Sequence, residues 1–420
     1  MPANPLKSLY AMRRRELAAQ SLLEEGLSRR EVLRRGAMAG AGVVVGPGLL
    51  AACGDDDDNG GGGGGGGGGG SSDEINILSW EGYHAPAWIK EFTDKTGIKV
   101  NVTNVGSPAE MFSKVKASPG QFDIVYNTAG WYDQYVQSDL IIPIDESKVP
   151  NVKEISDAFP WRDATSVKGT NYGILYTWGA QPLGWNTAEI PGDYDISAYV
   201  DEEGIPADWN ILWDEQFKGN VTIFDDPTSV EPMIPLALGI ENPYKLSDAD
   251  FEKFRERLFE LRPQVKKLTS GFDDQTNTFV TGEAIIGYVN HDLVIVEAAK
   301  KDVEIGANHK VPQGVPAWSD NATLTKEGGA KKQDAAYEFI NETIALPWQA
   351  RLVKTTGNSG TLSYDQAIEL GITKKELAPT LIPQTREGDA FFGVIKMFEA
   401  VEDLDKRLEV WNEFKLGIGT

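Results

Sequence analysis

The sequence predicts an α/β fold built of two lobes, and three observations support this prediction. With 420 residues and a mass of 45.8 kDa, the chain has room for about two domains of roughly 100–200 residues each. From Asp73 onward, short apolar runs alternate with amphipathic stretches, as in folds where helices separate the strands. Short connections join the first three apolar runs, which favours a mostly parallel sheet with right-handed crossovers.

The first elements after Asp73 follow a βαβαβ order. The first helix carries apolar residues at helical spacing and ends at Gly97, a residue type that commonly terminates helices. A proline at position 108 suits the first turn of the second helix. The predicted elements are a strand at 75–80, a helix at 86–96, a strand at 98–105, a helix from Pro108 and a strand at 122–127.

The later part of the chain repeats this alternation and ends in helices. Ser247 is a predicted N-cap, and Gly357 is a predicted helix end. From Lys332 onward the pattern is largely helical. The predicted elements are a strand at 221–224, a helix from about Val230 to Leu238, a helix from Ser247 through Leu261, a strand at 284–289 and a helix from Pro347 to Gly357.

Composition excludes several functions. Sixty-three acidic residues against 40 basic ones give a net charge of −23, which disfavours nucleic acid as a partner and favours a cation. A single cysteine excludes an internal disulfide framework and any Cys-rich metal site. The three histidines are widely separated, so we expect no tightly held transition metal and no cofactor.

The first 53 residues have the features of an export signal. Arg29 and Arg30 lie in SRREVLRR, which resembles the twin-arginine motif, and residues 36–52 carry no charge. That run ends in LAACG, which resembles the lipobox of bacterial lipoproteins, so Cys53 is predicted to be the lipidated residue. The alternative, a transmembrane helix, needs about 20 apolar residues. The uncharged run has seventeen residues, with five glycines and a proline among them.

A flexible tether is predicted between this signal and the folded body. Residues 54–72 hold four aspartates, an unbroken glycine run from Gly60 to Gly70 and two serines. A Gly-rich coil of about 20 residues spans roughly 25 Å. We therefore expect the folded part to move freely near the membrane that holds the anchor.

Four segments of the folded body resemble, in order and spacing, the spermidine/putrescine-binding proteins of bacterial ABC importers. These proteins belong to the type II periplasmic binding proteins, in which two α/β lobes are joined by crossing strands and close over a ligand. The resemblance extends from Ile75 to the C-terminus. The segments are ILSWEGYHAPAWIKEFTDKTGIKV, FDIVYNTAGWYDQYVQSDLIIPID, YTWGAQPLGWN and FKGNVTIFDDP.

The resemblance implies a division into lobes and a cleft. Lobe 1 would comprise residues 73–178 and 290–340, and lobe 2 residues 179–289 and 341–420. Ligands in open α/β folds bind beyond the carboxyl ends of the strands, so the cleft is expected there. A polyamine site needs aromatic walls for its methylenes and carboxylates for its ammonium groups.

Candidate ligand contacts in the first part of the chain are aromatic and hydroxyl residues. The resemblance implies that Trp80 and Tyr83 form cleft walls, with core packing as the alternative. It also implies that the Thr128 hydroxyl forms a hydrogen bond with the ligand. The aromatic wall that the family places two residues after this position is replaced by Gly130, so Trp131 is the candidate instead.

Candidate carboxylates follow the strand at 221–224. Asp225 and Asp226 end this strand, and the family has a ligand-binding aspartate here; an N-cap role is the alternative for Asp226. The family's glutamate three residues later is Ser229 in this chain. Glu231 lies two residues further on and is a candidate, with a solvated helix position as its alternative.

The remaining candidates lie between residues 288 and 320, at the end of the strand at 284–289 and beyond it. The resemblance implies that Tyr288 is an aromatic contact and that Asp292 approximates another carboxylate, with His291 at the unshifted position. A neutral imidazole there offers no fixed counter-charge. Trp318 and Asp320 form a further aromatic and acidic pair.

These observations predict a monomeric, exported, lipid-anchored solute-binding protein that delivers a polyamine to the permease of an ABC importer and performs no chemistry. A sugar or another small organic solute is the alternative, because Trp-rich clefts with acids also suit carbohydrates. Paired carboxylates also allow glycoside hydrolysis. No G-x-S-x-G, phosphate loop or HExxH occurs in the sequence to support an enzyme.

Overall fold

The computed structural model describes residues 74–418, which contain two large sheets and a small two-stranded one. The predicted signal at 1–53, with Arg29, Arg30 and Cys53, and the predicted tether at 54–72 lie outside the described residues. The strands are β1 Glu74–Trp80, β2 Lys99–Val105, β3 Ile124–Thr128, β4 Ser166–Val167, β5 Thr170–Asn171, β6 Ile174–Ala180, β7 Leu183–Asn186, β8 Val221–Phe224, β9 Val265–Thr269, β10 Ile286–Tyr288, β11 Ile305–Asn308, β12 Val315–Leu324 and β13 Ile395–Met397.

Helices cover the faces of the two large sheets. Phe92 of the first helix packs edge-on against Phe339 with ring centroids 5.1 Å apart, which buries one face of the first sheet. The α-helices are α1 Pro86–Thr96, α2 Pro108–Ala117, α3 Tyr132–Gln137, α4 Trp161–Thr165, α5 Pro227–Val230, α6 Met233–Ala237, α7 Asp248–Leu261, α8 Phe272–Val280, α9 Leu293–Lys300, α10 Gln333–Thr343, α11 Leu346–Thr356, α12 Tyr364–Glu369, α13 Lys374–Leu377, α14 Asp389–Phe392 and α15 Leu404–Lys415.

The first sheet has the order β13-β12-β3-β1-β2, and β6 also pairs with β12. Strand β1 is parallel to β2 and β3, as the short βαβ connections predict. Strand β12 runs antiparallel to β3 and pairs Asp320 with Thr128. This register brings two side chains that are 192 positions apart in the sequence together at the carboxyl end of β3.

The second sheet has the order β11-β7-β10-β8-β9. Strand β10 is parallel to β8, and β7 is antiparallel to both β10 and β11. Gly287 is required in β10, because a Cβ there would lie 2.0 Å from the Thr222 carbonyl oxygen. The two sheets confirm the predicted α/β architecture of two sheet-containing lobes.

The chain passes between the two sheets three times. It leaves β6 of the first sheet and enters β7 of the second, returns from β11 to β12, and goes from β13 to helix α15, which packs against α5 and α7. The sheet pairing thus places Ile305–Asn308 with the second lobe and Ile395–Met397 with the first. A division of the chain by sheets therefore differs from the predicted boundaries at these two strands, because local sequence pattern does not show which sheet a strand joins.

Several local predictions are confirmed. The Ser247 side chain accepts a hydrogen bond from the backbone N–H of Asp250 and caps α7. Gly97 and Gly357 end their helices with φ of 79° and 74°. Of the helix predicted from Val230 to Leu238, Val230 instead ends α5 and only Met233–Ala237 form α6, with Pro232 between the two helices.

Two features are absent from residues 74–418. In this part of the chain no helix is long and apolar enough to cross a bilayer. The same residues contain no group of three or more His, Cys, Asp or Glu side chains arranged to hold a metal ion.

Candidate functional site

A cleft lies between the two sheets, beside the first crossing of the chain. The space between its walls is about 540 Å³ when the part open to solvent is included. Both lobes contribute to its walls. The residues that line it are Trp80, Tyr83, Gly106, Pro108, Thr128, Gln181, Phe224, Asp226, Ser229, Phe272, Asn290, His291, Trp318, Asp320 and Phe398.

Asp320 is the carboxylate of the first lobe. The pairing of β12 with β3 places it beside Thr128, whose hydroxyl donates a hydrogen bond of 2.6 Å to Oδ1. The Tyr83 hydroxyl, which follows β1, donates a bond of the same length, 2.6 Å, to Oδ2. Burial raises the pKa of Asp320 to about 7, although both hydrogen bonds act to lower it.

Asp226 is the carboxylate of the second lobe. It follows β8 and caps helix α5, where its Oδ1 accepts hydrogen bonds from the backbone N–H and the hydroxyl of Thr228 at 3.1 and 2.7 Å. Burial raises its pKa above the usual range, against the effect of these donors. The predicted N-cap role and a place in the cleft are therefore both present in one residue.

Aromatic side chains form the walls between the two carboxylates. His291 stacks on Trp318, with ring centroids 5.2 Å apart, and contacts Phe272 at 4.6 Å. Trp80 is held in place by a hydrogen bond of 3.0 Å from its Nε1 to the Tyr126 carbonyl oxygen. Such faces suit the methylene groups and charged nitrogens of an organic cation.

The charge of the cleft lining is negative. No lysine or arginine is among the described residues that line it, and the two ionisable acids are Asp226 and Asp320. His291 adds no positive charge, because burial lowers its pKa to about 3. An ammonium group would complement both carboxylates and would lower their pKa values.

A hydrogen-bond network connects the crossing segment to the second lobe. Gln181 Nε2 donates to Asn290 Oδ1 at 2.9 Å, and the Ser229 hydroxyl donates to the same oxygen at 3.0 Å. Tyr288 lies behind this layer, with its hydroxyl 2.5 Å from the Ser229 carbonyl oxygen and also bonded to Gln181 Oε1. The network stabilises the position of the lining residues next to Asp226.

Five of the ten predicted site residues line the cleft. They come from both lobes and comprise three aromatic or hydroxyl residues and both carboxylates described above. They are Trp80, Tyr83, Thr128, Asp226 and Asp320.

Trp131 and Asp225 lie near the cleft but do not line it. Trp131 borders a smaller neighbouring cavity of about 290 Å³ and packs against Phe112. Asp225 points away from the cleft, where it accepts hydrogen bonds from Lys415 Nζ at 2.6 Å and Trp411 Nε1 at 2.9 Å. Its negative charge is thus already paired within the protein.

The other three predicted residues are buried behind the cleft. Tyr288 belongs to the network beneath it. Asp292 lies 2.8 Å from His309 Nε2. Glu231 is buried beside Arg407, and burial raises its pKa to about 8. None of these three side chains reaches the lining in this arrangement of the lobes.

Sequence analysis did not propose Gln181, Asn290 and three phenylalanines of the lining. Gln181 and Asn290 follow β6 and β10 by one or two residues, so their place at strand ends was the available signal. The phenylalanines could not be distinguished by sequence from core residues. They are Phe224, Phe272 and Phe398.

Comparison with known proteins identifies relatives of this chain. The model of the family described as bacterial extracellular solute-binding protein matches residues 87–366, two thirds of the chain. Spermidine/putrescine-binding periplasmic protein 1 of Haemophilus influenzae is 27% identical over 289 residues, which cover 68% of this chain and 74% of that protein. The spermidine/putrescine-binding periplasmic protein of Escherichia coli K12 is 25% identical over 291 residues, 68% of this chain and 78% of that protein.

Solved structures share the fold. A putative spermidine/putrescine ABC transporter protein from Listeria monocytogenes aligns with a TM-score of 0.66 and 21% identity over 82% of this chain and 99% of its own. The spermidine/putrescine ABC transporter substrate-binding protein of Streptococcus pneumoniae aligns at 0.65 with 21% identity, over 82% and 99% of the two chains. These likenesses confirm the predicted fold of two α/β lobes.

Proposed function

The chain belongs to the family of bacterial extracellular solute-binding proteins, and from this premise we propose that it captures a polyamine, putrescine or spermidine, for the permease of an ABC importer. Members of the family are solute-binding proteins of transporters and not enzymes, which excludes the glycoside hydrolase alternative. The relatives named above as polyamine-binding support this choice of ligand.

One observation of the cleft carries the proposal. Each lobe contributes one carboxylate, the buried Asp320 from the first and the partly buried Asp226 from the second, to an aromatic cleft whose described lining has no lysine or arginine. Buried carboxylates without a cation are costly. A molecule with two ammonium groups joined by methylenes relieves this cost on both lobes at once.

Binding would proceed by closure of the lobes about the crossing segments. A diamine that pairs with carboxylates on both lobes has higher affinity for the closed state than for the open one, and this difference drives closure. Each contact of an ammonium with Trp80 or another ring contributes about 0.5–2 kcal/mol. Together with two ion pairs, such contacts are sufficient for micromolar affinity, about −8 kcal/mol.

The N-terminal motifs complete the proposal. The family implies a location outside the cytoplasm. Export through the twin-arginine signal at Arg29 and Arg30, followed by lipidation of Cys53, would keep the solute-binding lobes on the outer side of the membrane. The protein would work there as a monomer, with its tether allowing access to the permease.

Isothermal titration calorimetry tests the ligand. The purified full chain is titrated with putrescine, spermidine and a neutral disaccharide. We expect saturable binding of the two amines and no binding of the disaccharide. The Asp226→Asn substitution should weaken amine binding more than tenfold. Asp225→Asn is the matched control, because the adjacent carboxylate is paired with Lys415 outside the cleft. Binding of the disaccharide without the amines would refute the choice of ligand and support the alternative of a sugar.

A further inference from the structure

Two N–H groups in the cleft wall have no hydrogen-bond acceptor within the described part of the chain. They are Nε2 of His291 and Nε1 of Trp318. Both side chains line the cleft, and each is only 5% exposed. Unpaired buried donors are rare in native structures and call for an explanation.

The hydrogen bonds of His291 define where its proton lies. The backbone N–H of Leu293 donates to His291 Nδ1 at 2.9 Å, so Nδ1 is the acceptor of the ring. The neutral ring therefore carries its proton on Nε2. Since burial lowers the pKa of this imidazole to about 3, it stays neutral at physiological pH. His291 thus presents an N–H donor.

The two donors come from different lobes. His291 follows β10 of the second sheet, whereas Trp318 lies on β12 of the first, and the rings stack with centroids 5.2 Å apart. Each nitrogen is covered in this arrangement of the lobes. Because the rings belong to opposite lobes, the closure proposed above implies that they are apart before the solute binds, so that a solute reaches both N–H groups first and the lobes then close over it.

The cleft therefore presents unpaired donors as well as carboxylates. Asp226 and Asp320 accept hydrogen bonds from cations, whereas His291 Nε2 and Trp318 Nε1 donate. Trp318 and Asp320 are two residues apart on β12, so their side chains share one face of the strand. A ligand with ammonium groups alone satisfies the acids and leaves the donors unpaired. A third ammonium would also be repelled by the positive ends of the two N–H dipoles.

We infer, building on the proposed function, that the preferred solute is a monoacylated polyamine with two ammonium groups and one amide carbonyl. The ammonium groups pair with Asp226 and Asp320, and the carbonyl oxygen accepts from His291 Nε2–H and Trp318 Nε1–H. A neutral amide suits this position better than a carboxylate, which the two aspartates of the cleft would repel.

A set of three related amines tests the inference on the unmodified full chain. Putrescine carries two ammonium groups. Spermidine is putrescine extended by an arm that ends in a third ammonium group. In N1-acetylspermidine the same arm ends in a neutral amide instead. We expect N1-acetylspermidine to bind at least tenfold more tightly than spermidine in calorimetric titrations. Equal or tighter binding of spermidine would overturn the inference and leave the proposed function intact.

Variants identify the groups that recognise the carbonyl. Trp318→Phe and His291→Phe each remove one N–H and keep an aromatic ring. We expect both to lower the preference for N1-acetylspermidine over spermidine, measured as the ratio of the two dissociation constants within each variant, whereas Asp225→Asn, outside the cleft, should keep the wild-type ratio. Retention of the full preference in both variants would refute these assignments. Failure of all three amines to bind the wild-type chain would refute the proposed function itself.

Discussion

Asp320→Asn should make the protein more stable and a poorer binder at once. The Asp320 carboxyl is buried, and its pKa is raised from 3.8 to about 7. At 1.36 kcal/mol per pH unit, this difference corresponds to a cost of about 4 kcal/mol for the ionised form in the folded protein. An asparagine carries no charge, so it avoids this cost at every pH.

The amide recovers only part of this free energy. Tyr83 and Thr128 both donate to the carboxylate, and an asparagine has a single acceptor oxygen for the two hydroxyls. One hydroxyl must therefore turn and accept from the new NH₂ group. We expect a net gain of about 1–4 kcal/mol in the free energy of unfolding at pH 8.

The sign of the pH dependence follows from the raised pKa. Between pH 4 and 7 the folded protein holds a proton on Asp320 that the unfolded chain has released, so wild-type stability falls as pH rises through this range. Below pH 4 both states are protonated, and the variant should have no advantage. The gain should therefore grow from pH 4 to about 7 and then level off.

Two assays check the prediction. Urea unfolding at pH 4, 6 and 8 measures stability. Asp225→Asn is the control, because its ion pair with Lys415 is partly exposed and its loss should change the free energy of unfolding by less than about 1 kcal/mol. Calorimetry with putrescine should show a loss of affinity of about 10- to 100-fold, since a charge-assisted hydrogen bond contributes about 1.5–3 kcal/mol. If Asp320→Asn is less stable than wild type at pH 8, the assignment of Asp320 as a costly buried carboxylate is refuted.

Three further predictions concern other parts of the molecule. Glu231→Gln should reduce the loss of stability between pH 5 and 8 in urea unfolding, because the pKa of Glu231 is raised to about 8; an unchanged pH profile would contradict this. Gly179→Ala places a Cβ 2.6 Å from Trp318 Cζ2. It should therefore push the indole into the cleft, lower the free energy of unfolding by about 1–3 kcal/mol and weaken amine binding. Normal affinity by calorimetry would disprove this effect. Cys53→Ser should abolish incorporation of radiolabelled palmitate and release the protein from membranes, and retained label would exclude Cys53 as the lipidation site.

Much of the fold could be predicted from local sequence. The strands β1, β2, β3 and β8 and the helices α1, α2 and α7 follow from apolar spacing and cap residues such as Ser247. These features depend on interactions between residues a few positions apart, which short segments encode. Strand β13 escaped prediction because three residues in a largely helical region carry no clear period.

Part of the candidate site was also predictable. Trp80, Thr128 and Asp226 lie at or just beyond strand ends, where α/β folds place their ligands. The choice between neighbours was not available from sequence. Asp225 and Asp226 are adjacent residues of the same type, yet Asp225 pairs with Lys415 and Asp226 lines the cleft.

Local sequence accounts for the α/β class, the acidic charge, the order of most elements and the type of residue at each strand end. Which of these residues meet depends on the tertiary structure. Asp320 joins Thr128 across 192 positions, and Trp411 and Lys415 of α15 reach back 186 and 190 positions to Asp225. Such partners depend on strand order and on how the chain crosses between lobes. Strand order and the crossings are set by how the chain as a whole buries its apolar surface rather than by any local pattern.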